Sequence, residues 1–186
     1  ISPVTGDRQL SPVIPLEYDN EVIKPYYYQV FLTEDNIDVE YAPSNQSAIY
    51  RFKFSEETPS LVINSRNGVL RANGNSVSGY QQIDGFPTKV YLFLETDIKP
   101  EQIDSLKNNE GENSCVIMKF KENKEPIHLR YGISFISEEQ AKKNLYREVK
   151  DISFDEVKDR GRAIWNETLG KISVEGDCED TKTIFY

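Results

Sequence analysis

The fold class can be inferred from the segment Ile127-His-Leu-Arg-Tyr-Gly-Ile-Ser-Phe135 and from the two segments that follow it, Ser137-Glu-Glu-Gln140 and Ser153-Phe-Asp-Glu156. The first segment is rich in β-branched and aromatic residues, which predicts a strand. Each of the other two places a serine at a helix N-cap and a Glu or Gln three residues later, the pattern of a capping box. The sequence therefore predicts that a β-rich part gives way here to two helices.

Upstream of this stretch, short segments with strand patterns alternate with turn signals. Strands are predicted over residues 27–33, 37–41, 47–54, 61–63, 69–72, 76–83, 89–95 and 115–120. Asn73-Gly74 is a typical two-residue hairpin turn. Pro100 occupies the first position of a short helix predicted over residues 101–106. Turns spaced about 8–12 residues apart favour an antiparallel β-sandwich over alternating strands and helices.

The second predicted helix carries a single apolar stripe. Its members recur at helical spacing and are Phe154, Val157, Gly161, Ile164, Trp165 and Thr168. Gly170 follows at the C′ position, where glycine commonly ends a helix. Because Trp165 lies within the stripe, we expect it to pack against protein rather than against a sugar. The helix could pack on the sandwich or on a following helical domain.

Composition and charge exclude several classes of protein. The chain of 186 residues has a net charge of −9 and no block of like charges, so it offers no basic surface for nucleic acid or an anionic membrane. No apolar stretch approaches the roughly 20 residues of a membrane span. Two cysteines, Cys115 and Cys178, are too few for a zinc motif, and two separate thiols are favoured over a disulfide.

Residues with catalytic potential are sparse. His128 is the only histidine and lies within a predicted strand, so a structural role is favoured over a nucleophilic triad. We predict no catalytic residue and no metal ligand in this chain. The candidates for substrate binding are Asp19, Asn20, Glu21 and Tyr26, which combine hydrogen-bonding groups with an aromatic ring. The alternative interpretation is a solvated loop that enters an aromatic strand.

The order of many short motifs resembles family 92 of the glycoside hydrolases, which are mostly bacterial α-mannosidases. The motifs lie at residues 2–6, 18–21, 25–28, 37–40, 79–80, 90–93, 128–137, 139–141, 144–145, 154–155, 165–167, 169–170, 172, 174–176 and 183–186. Two positions depart from the family pattern, since Tyr26 stands where the family usually has glycine and Tyr18 where it often has histidine. These departures put direct sugar contact by this segment in doubt.

The resemblance implies a galactose-mutarotase-like supersandwich over residues 1–136 that lacks its first part. It implies that residues 137–186 form a helical linker to an absent (α/α)6 catalytic domain. That domain would supply the general acid, the general base and the ligands of Ca²⁺, while sandwich loops complete the pocket. The expected reaction is inverting exo-hydrolysis of α-mannoside glycans of the α-1,2 type. Export to the periplasm or the cell surface is also implied by the family.

Three hypotheses for function follow. The first is a sandwich with linker helices from a family 92 α-mannosidase, inactive by itself. This hypothesis fits the apolar run at residues 183–186, which has no helix cap or turn signal after it, and the absence of an initial methionine. The second is a free-standing carbohydrate-binding sandwich, which would bind mannosides through exposed tyrosines. The third is an interaction module without a ligand, which would self-associate through an exposed apolar patch.

Overall fold

The structure is a computed structural model that describes residues 1–5, 16–55, 58–107, 114–122 and 125–172. These residues form β-strands and two helices. In chain order the strands are β1 (Ser2–Thr5), β2 (Tyr18–Lys24), β3 (Tyr27–Leu32), β4 (Ile37–Pro43), β5 (Ser47–Phe54), β6 (Pro59–Ser65), β7 (Gly68–Asn73), β8 (Ser76–Gln82), β9 (Lys89–Thr96), β10 (Gln102–Lys107), β11 (Ser114–Lys119) and β12 (Ile127–Ser134). The helices are α1 (Glu138–Glu148) and α2 (Phe154–Leu169).

The strands form two sheets, and the paired strands run antiparallel. The larger sheet has the order β2-β3-β4-β5-β12-β9-β8-β7, and the smaller has the order β1-β6-β11-β10. The predicted hairpin joins β7 to β8, but its turn lies one residue later than predicted. Asn73 pairs with Ser76, so the two turn residues are Gly74 and Asn75, and Gly74 adopts a positive φ of 62°. The predicted antiparallel sandwich followed by two helices is therefore confirmed.

Side chains alternate between the two faces of the larger sheet, and each face packs into a separate core. Between the sheets, Phe52 and Leu129 of the larger sheet pack in one buried cluster with Leu61 and Met118 of the smaller sheet. On the outer face of the larger sheet, residues such as Ile49 pack instead against the two helices. The central strands of the larger sheet are therefore covered on both faces, while β2 at its edge is exposed along its whole length.

Both helices begin at the predicted N-caps. Ser137 Oγ accepts a hydrogen bond from the Gln140 backbone N–H at 3.1 Å, and Ser153 Oγ accepts one from the Glu156 N–H at 3.2 Å. In a capping box the N3 side chain also accepts a hydrogen bond from the N-cap backbone N–H, and this second bond was predicted wrongly. The Gln140 side chain donates to Asn144 Oδ1 at 2.9 Å, and Glu156 pairs with an arginine one turn later in the helix.

Three local predictions are corrected by the structure. Residues 101–106 are not a helix, because β10 pairs with β11 over six residues and Ile103 packs against the core. Residues 18–24 form strand β2 rather than a solvated loop. Gly170 has φ of −68°, so α2 ends without a left-handed glycine. In the first two cases, pairing with another strand overrides the local signal.

The apolar stripe of α2 is buried over its first half and exposed over its second. Phe154 and Val157 are buried, whereas Ile164 is 60% and Trp165 is 41% exposed. The packing predicted for Trp165 is therefore only partial within the described residues. Neither α1 nor α2 combines the length and the apolar character that a membrane-spanning helix needs.

Of the two cysteines, Cys115 lies within the described residues. Cys115 is a free cysteine that lies half-buried in β11, and burial raises the pKa of its thiol. Cys178 and the apolar run at 183–186 lie outside the described residues.

Candidate functional site

The hairpin of β2 and β3 carries all four residues predicted to bind substrate, and it separates them. Asp19 pairs with Phe31, and the register shifts by a bulge around Asn20, which has a positive φ of 55°. Tyr26 lies in the turn at the other end of the hairpin. Five strand residues separate Asp19 from the start of that turn, a distance of about 16 Å. Asp19 and Tyr26 are therefore too far apart to hold one sugar ring together.

Glu21 is engaged within the sheet. The Tyr28 hydroxyl donates a hydrogen bond to Glu21 Oε1 at 2.8 Å. Burial, together with this bond and the nearby carboxylate charge, raises the pKa of Tyr28 to about 12. The hydroxyl therefore stays protonated at neutral pH and remains a donor to Glu21. Asp19 and Asn20 are exposed on the edge strand beside them.

Tyr26 lines a groove that the other three residues do not reach. This turn-end groove lies between the β2–β3 turn, the β4–β5 turn, the end of α1 and helix α2, and its volume is about 490 Å³. The side chains that give it chemical character are Tyr26, Arg147, Glu148, Arg160 and Trp165. Aromatic planes beside charged hydrogen-bonding groups are a combination that suits sugar recognition.

The carboxylate of Glu148 is held as an anion in this groove. It accepts hydrogen bonds from the Gln46 backbone N–H at 2.9 Å and from Arg147 Nη2 at 2.7 Å. Burial alone would raise the pKa of Glu148, but these bonds outweigh it and the pKa lies below its ordinary value. A general acid at neutral pH needs a raised pKa. Glu148 therefore fits a carboxylate that ties α1 to the β4–β5 turn.

A second charged group, which we name the Arg51 clamp, docks α2 on the sheet. Arg51 donates two hydrogen bonds to Glu40, at 2.5 and 2.8 Å, and a third to Asp155 of α2 at 3.1 Å. Its guanidinium lies 4.2 Å from the centre of the Phe154 ring. Tyr27 also donates to Glu40, at 2.7 Å. Burial alone would raise the pKa of Glu40, but the bonds from Arg51 and Tyr27 lower it below its ordinary value.

His128 is paired with a single carboxylate. Its Nδ1 lies 2.8 Å from Asp97 Oδ2, and its backbone N–H donates to Asp97 Oδ1 at 2.9 Å. Asp97 thus fastens the start of β12 to the end of β9, which agrees with the structural role predicted for His128. Across the described ranges, no group of three or more His, Cys, Asp or Glu side chains converges as metal ligands would.

The sequence did not reveal the groove as a site. Glu148 and Arg160 were not singled out from the sequence, because each lies among other charged residues of a predicted helix. Trp165 was assigned to packing because it falls in the apolar stripe. The one available signal was that the apolar stripe of the second helix could pack on the sandwich or on a following helical domain.

Comparison with known proteins identifies the family. The family model described as the glycosyl hydrolase family 92 N-terminal domain matches residues 1–134. The model described as the glycosyl hydrolase family 92 catalytic domain matches residues 140–186. No curated protein sequence matches the chain.

Solved structures share the fold. A family GH92 inverting mannosidase from Bacteroides thetaiotaomicron VPI-5482 has a TM-score of 0.84 at 21% identity, with 95% of this chain and 27% of that chain covered. A family GH92 α-mannosidase from Bacteroides thetaiotaomicron has a TM-score of 0.84 at 21% identity, with 94% and 29% covered.

A third solved structure comes from the family GH92 glycosyl hydrolase ccman5, with a TM-score of 0.75 and 25% identity. The match covers 88% of this chain and 26% of that one. The chain therefore spans between a quarter and a third of the length of each of these three structures. Since the N-terminal-domain model alone matches well over half of the residues, the chain belongs to glycosyl hydrolase family 92.

Proposed function

We propose that residues 1–186 are the sandwich and first helices of a calcium-dependent, inverting exo-α-mannosidase that acts on α-1,2-linked mannosides. The observation that carries this proposal is the pair of family matches at 1–134 and 140–186, which are consecutive in the chain. Strand β12 leads directly into α1 between them. The chain thus spans the junction between the two domains of the family.

In this proposal the described residues shape the enzyme and do not perform the chemistry. Glu40 and Glu148 both have a lowered pKa, the opposite of what a general acid needs. The general acid and base would come from the remainder of the catalytic domain. Inverting glycosidases need two carboxyl groups about 6.5–9.5 Å apart, with room between them for a water molecule.

Calcium does not fit the described part of this chain. Calcium takes about six to eight oxygen ligands, and carboxylates usually supply several of them. Among the described residues no cluster of acidic side chains offers such a set. We therefore assign the calcium site of the proposed enzyme to the remainder of the catalytic domain, where it would help to bind and distort the mannoside.

The test is an assay of mannose release from α-1,2-, α-1,3- and α-1,6-mannobiose. Residues 1–186 and a polypeptide in which they continue into the full catalytic domain are each assayed with calcium and with a chelator. We expect release by the longer polypeptide alone, with calcium, and fastest from the α-1,2 substrate. Turnover by residues 1–186 would refute the proposed division of labour.

A second candidate function is carbohydrate binding by the sandwich alone, and the turn-end groove favours it. Tyr26 and Trp165 supply aromatic planes there, with Arg160 beside them. Because Trp165 is the only tryptophan, its fluorescence reports on this groove directly. A shift on titration with α-mannobiose, abolished in Tyr26→Ala, would support binding. No shift up to millimolar mannobiose would remove this candidate.

A further inference from the structure

The tip of the β7–β8 hairpin carries an asparagine that is followed by glycine. Asn73 is the last residue of β7 and pairs with Ser76, so Gly74 and Asn75 form the turn. The tip lies at the end of the larger sheet opposite the β8–β9 turn, and residues 73–75 are all exposed. Because glycine has no Cβ, its backbone nitrogen is the least shielded nucleophile that can follow an asparagine side chain.

Neither reacting group at this tip is held in place. The Asn73 side chain makes no hydrogen bond within the part of the chain that the structure describes, and only its backbone carbonyl is engaged, by Ser76 Oγ at 2.8 Å. Within the same ranges, the Gly74 backbone N–H donates no hydrogen bond either. A Cβ built at Gly74 would meet no atom within 4 Å. The Asn73 side chain is therefore free to rotate towards the Gly74 nitrogen, as is common at exposed loop tips.

A second asparagine-glycine pair in the same sheet is held firmly. Asn67 and Gly68 join β6 to β7, and the Asn67 side-chain amide donates a hydrogen bond to Asp84 Oδ1. The Asn67 carbonyl accepts from the Gln82 backbone N–H at 2.9 Å. Gly68 is buried, and a Cβ built there would clash with the Tyr80 carbonyl oxygen. The peptide between Asn67 and Gly68 therefore cannot reorient while the chain is folded.

The other asparagine of the hairpin tip is also held. Asn75 Nδ2 donates to the Thr96 carbonyl oxygen at 2.5 Å, and the Thr96 backbone N–H donates to the Asn75 carbonyl oxygen at 3.0 Å. The residue after Asn75 is serine, whose side chain shields the backbone nitrogen more than glycine does. Asn73 is thus the asparagine in this hairpin that combines a free side chain with a following glycine.

We propose that Asn73 is a site of spontaneous modification, at which the asparagine of the folded chain is converted to aspartate and isoaspartate. The Gly74 backbone nitrogen attacks Asn73 Cγ, so that a new N–Cγ bond forms and the Cγ–Nδ2 bond breaks. The proton of the Gly74 amide leaves with Nδ2 as ammonia, and a succinimide ring remains. Water opens this ring at Cγ to give aspartate, or at the backbone carbonyl carbon to give isoaspartate.

The modification changes the hairpin as well as its charge. Either product replaces a neutral amide by a carboxylate, which makes the net charge of −9 more negative. Isoaspartate also adds one methylene to the backbone between Asn73 and Gly74 and removes from the main chain the carbonyl that Ser76 Oγ binds. Because β7 is an edge strand of the larger sheet, this pair closes the hairpin without help from a further strand.

Peptide mass spectrometry after ageing tests the proposal, because trypsin separates the two asparagine-glycine pairs. Cleavage after Arg66, Arg71 and Lys89 gives residues 67–71 with Asn67 and residues 72–89 with Asn73. The chain is kept at neutral pH, either folded or unfolded in urea, and is then digested at mildly acidic pH beside a sample that was not aged. Conversion is read from the gain in mass of each peptide. Isoaspartate in residues 72–89 is read from methylation by an isoaspartyl methyltransferase.

The comparison of folded with unfolded chain decides the outcome. In urea we expect the two peptides to convert at rates within threefold of each other. In the folded chain, residues 72–89 should keep their rate within threefold, whereas residues 67–71 should convert at least tenfold more slowly. Conversion of residues 72–89 that is tenfold slower in the folded chain than in urea would overturn the proposal. Equal rates for the two peptides in the folded chain would overturn the argument from their surroundings.

Two variants identify the reacting residue. Asn73→Gln lengthens the side chain, so that the five-membered ring cannot form, and it should abolish the gain in mass of residues 72–89. Asn75→Gln is the matched control and should leave that gain unchanged. Circular dichroism shows that both variants are folded before ageing. A gain in mass that persists in Asn73→Gln, or that disappears in Asn75→Gln, would place the reaction at another residue and refute the proposal.

Discussion

Replacing Gly132 by alanine should push helix α1 away from the sheet. A Cβ added at Gly132 would lie 2.3 Å from the Ala141 carbonyl oxygen and 2.8 Å from the Leu145 backbone nitrogen. Both atoms belong to the helix backbone, so they cannot move by a rotamer change. Carbon and oxygen need about 3.3 Å, and the helix must therefore shift by about 1 Å. Leu145 and Val149, both fully buried under α1, would lose contacts with the sheet.

The cost follows from those contacts. Burial of two such side chains contributes roughly 4 kcal/mol, and a gap of this size forfeits about a quarter to a half of the contact energy. Overpacking strain adds about 1–2 kcal/mol to this loss. Alanine has less conformational freedom than glycine in the unfolded chain, which favours the folded chain by about 0.4–1 kcal/mol. We expect a net loss of about 2 kcal/mol in the free energy of unfolding. In urea, followed by circular dichroism, the midpoint should fall by about 1 M.

Gly161→Ala is the matched control for this experiment. Its added Cβ meets Tyr26 Cβ at 2.8 Å, but alanine within a helix gains about 1 kcal/mol over glycine. We expect this variant to lie within about 1 kcal/mol of the parent chain. If Gly132→Ala unfolds at the same urea concentration as the parent chain, the reasoning that α1 presses directly on β12 is refuted.

The same urea assay tests three further predictions. Arg51→Met removes the hydrogen bonds to Glu40 and Asp155 and should lower the free energy of unfolding by about 2 kcal/mol, and Arg51→Lys should restore only part of it. An unchanged free energy of unfolding in Arg51→Met would show that the Arg51 clamp does not hold α2. The pKa of Glu40 is lowered in the folded chain, so its stabilisation is complete above the ordinary pKa of about 4.3 and is lost as the pH falls through the folded value. Glu40→Gln should flatten this acid-side loss, and an equally steep loss would contradict the assignment. Leu145→Ala should lower the free energy of unfolding by about 2–5 kcal/mol, and Trp165→Ala by less than half as much because Trp165 is 41% exposed. Equal losses in the two variants would contradict the exposure of the second half of α2.

The features that could be predicted from the sequence are those fixed by neighbouring residues. Ser137 and Ser153 act as N-caps because the serine and the N–H that it accepts from are three residues apart. The hairpin of β7 and β8 is equally local, although its turn lies one residue later than the Asn73-Gly74 signal predicted. Strand β10 was missed because its hydrogen bonds come from β11, and the local signal of Pro100 pointed to a helix instead. A segment whose stability depends on a distant strand is not determined by its own propensity.

The candidate site shows the same limit more strongly. Tyr26 was singled out by its aromatic neighbours in sequence, but its groove is completed by residues of α1 and α2 more than a hundred positions later. The Arg51 clamp likewise joins positions 104 residues apart, Arg51 and Asp155. Asp19, Asn20 and Glu21 are near Tyr26 in sequence yet lie along the edge strand away from it. Proximity in sequence along a strand separates side chains by about 3.3 Å per residue, so it is a poor guide to a shared pocket.

Because of the way the helices pack, the boundary between the two family models is not the boundary of the folded unit. The two models divide the chain between residues 134 and 140. Yet Ala141, Leu145 and Val149 of the catalytic-domain match are buried against the outer face of the larger sheet, and Phe154 and Val157 extend the same core. Without these helices that face would expose Ile49 and Ala42, both fully buried in the folded chain. The sandwich therefore needs the beginning of the next domain to complete its second core. In the proposed enzyme the two domains would thus be joined by shared packing and not only by a linker.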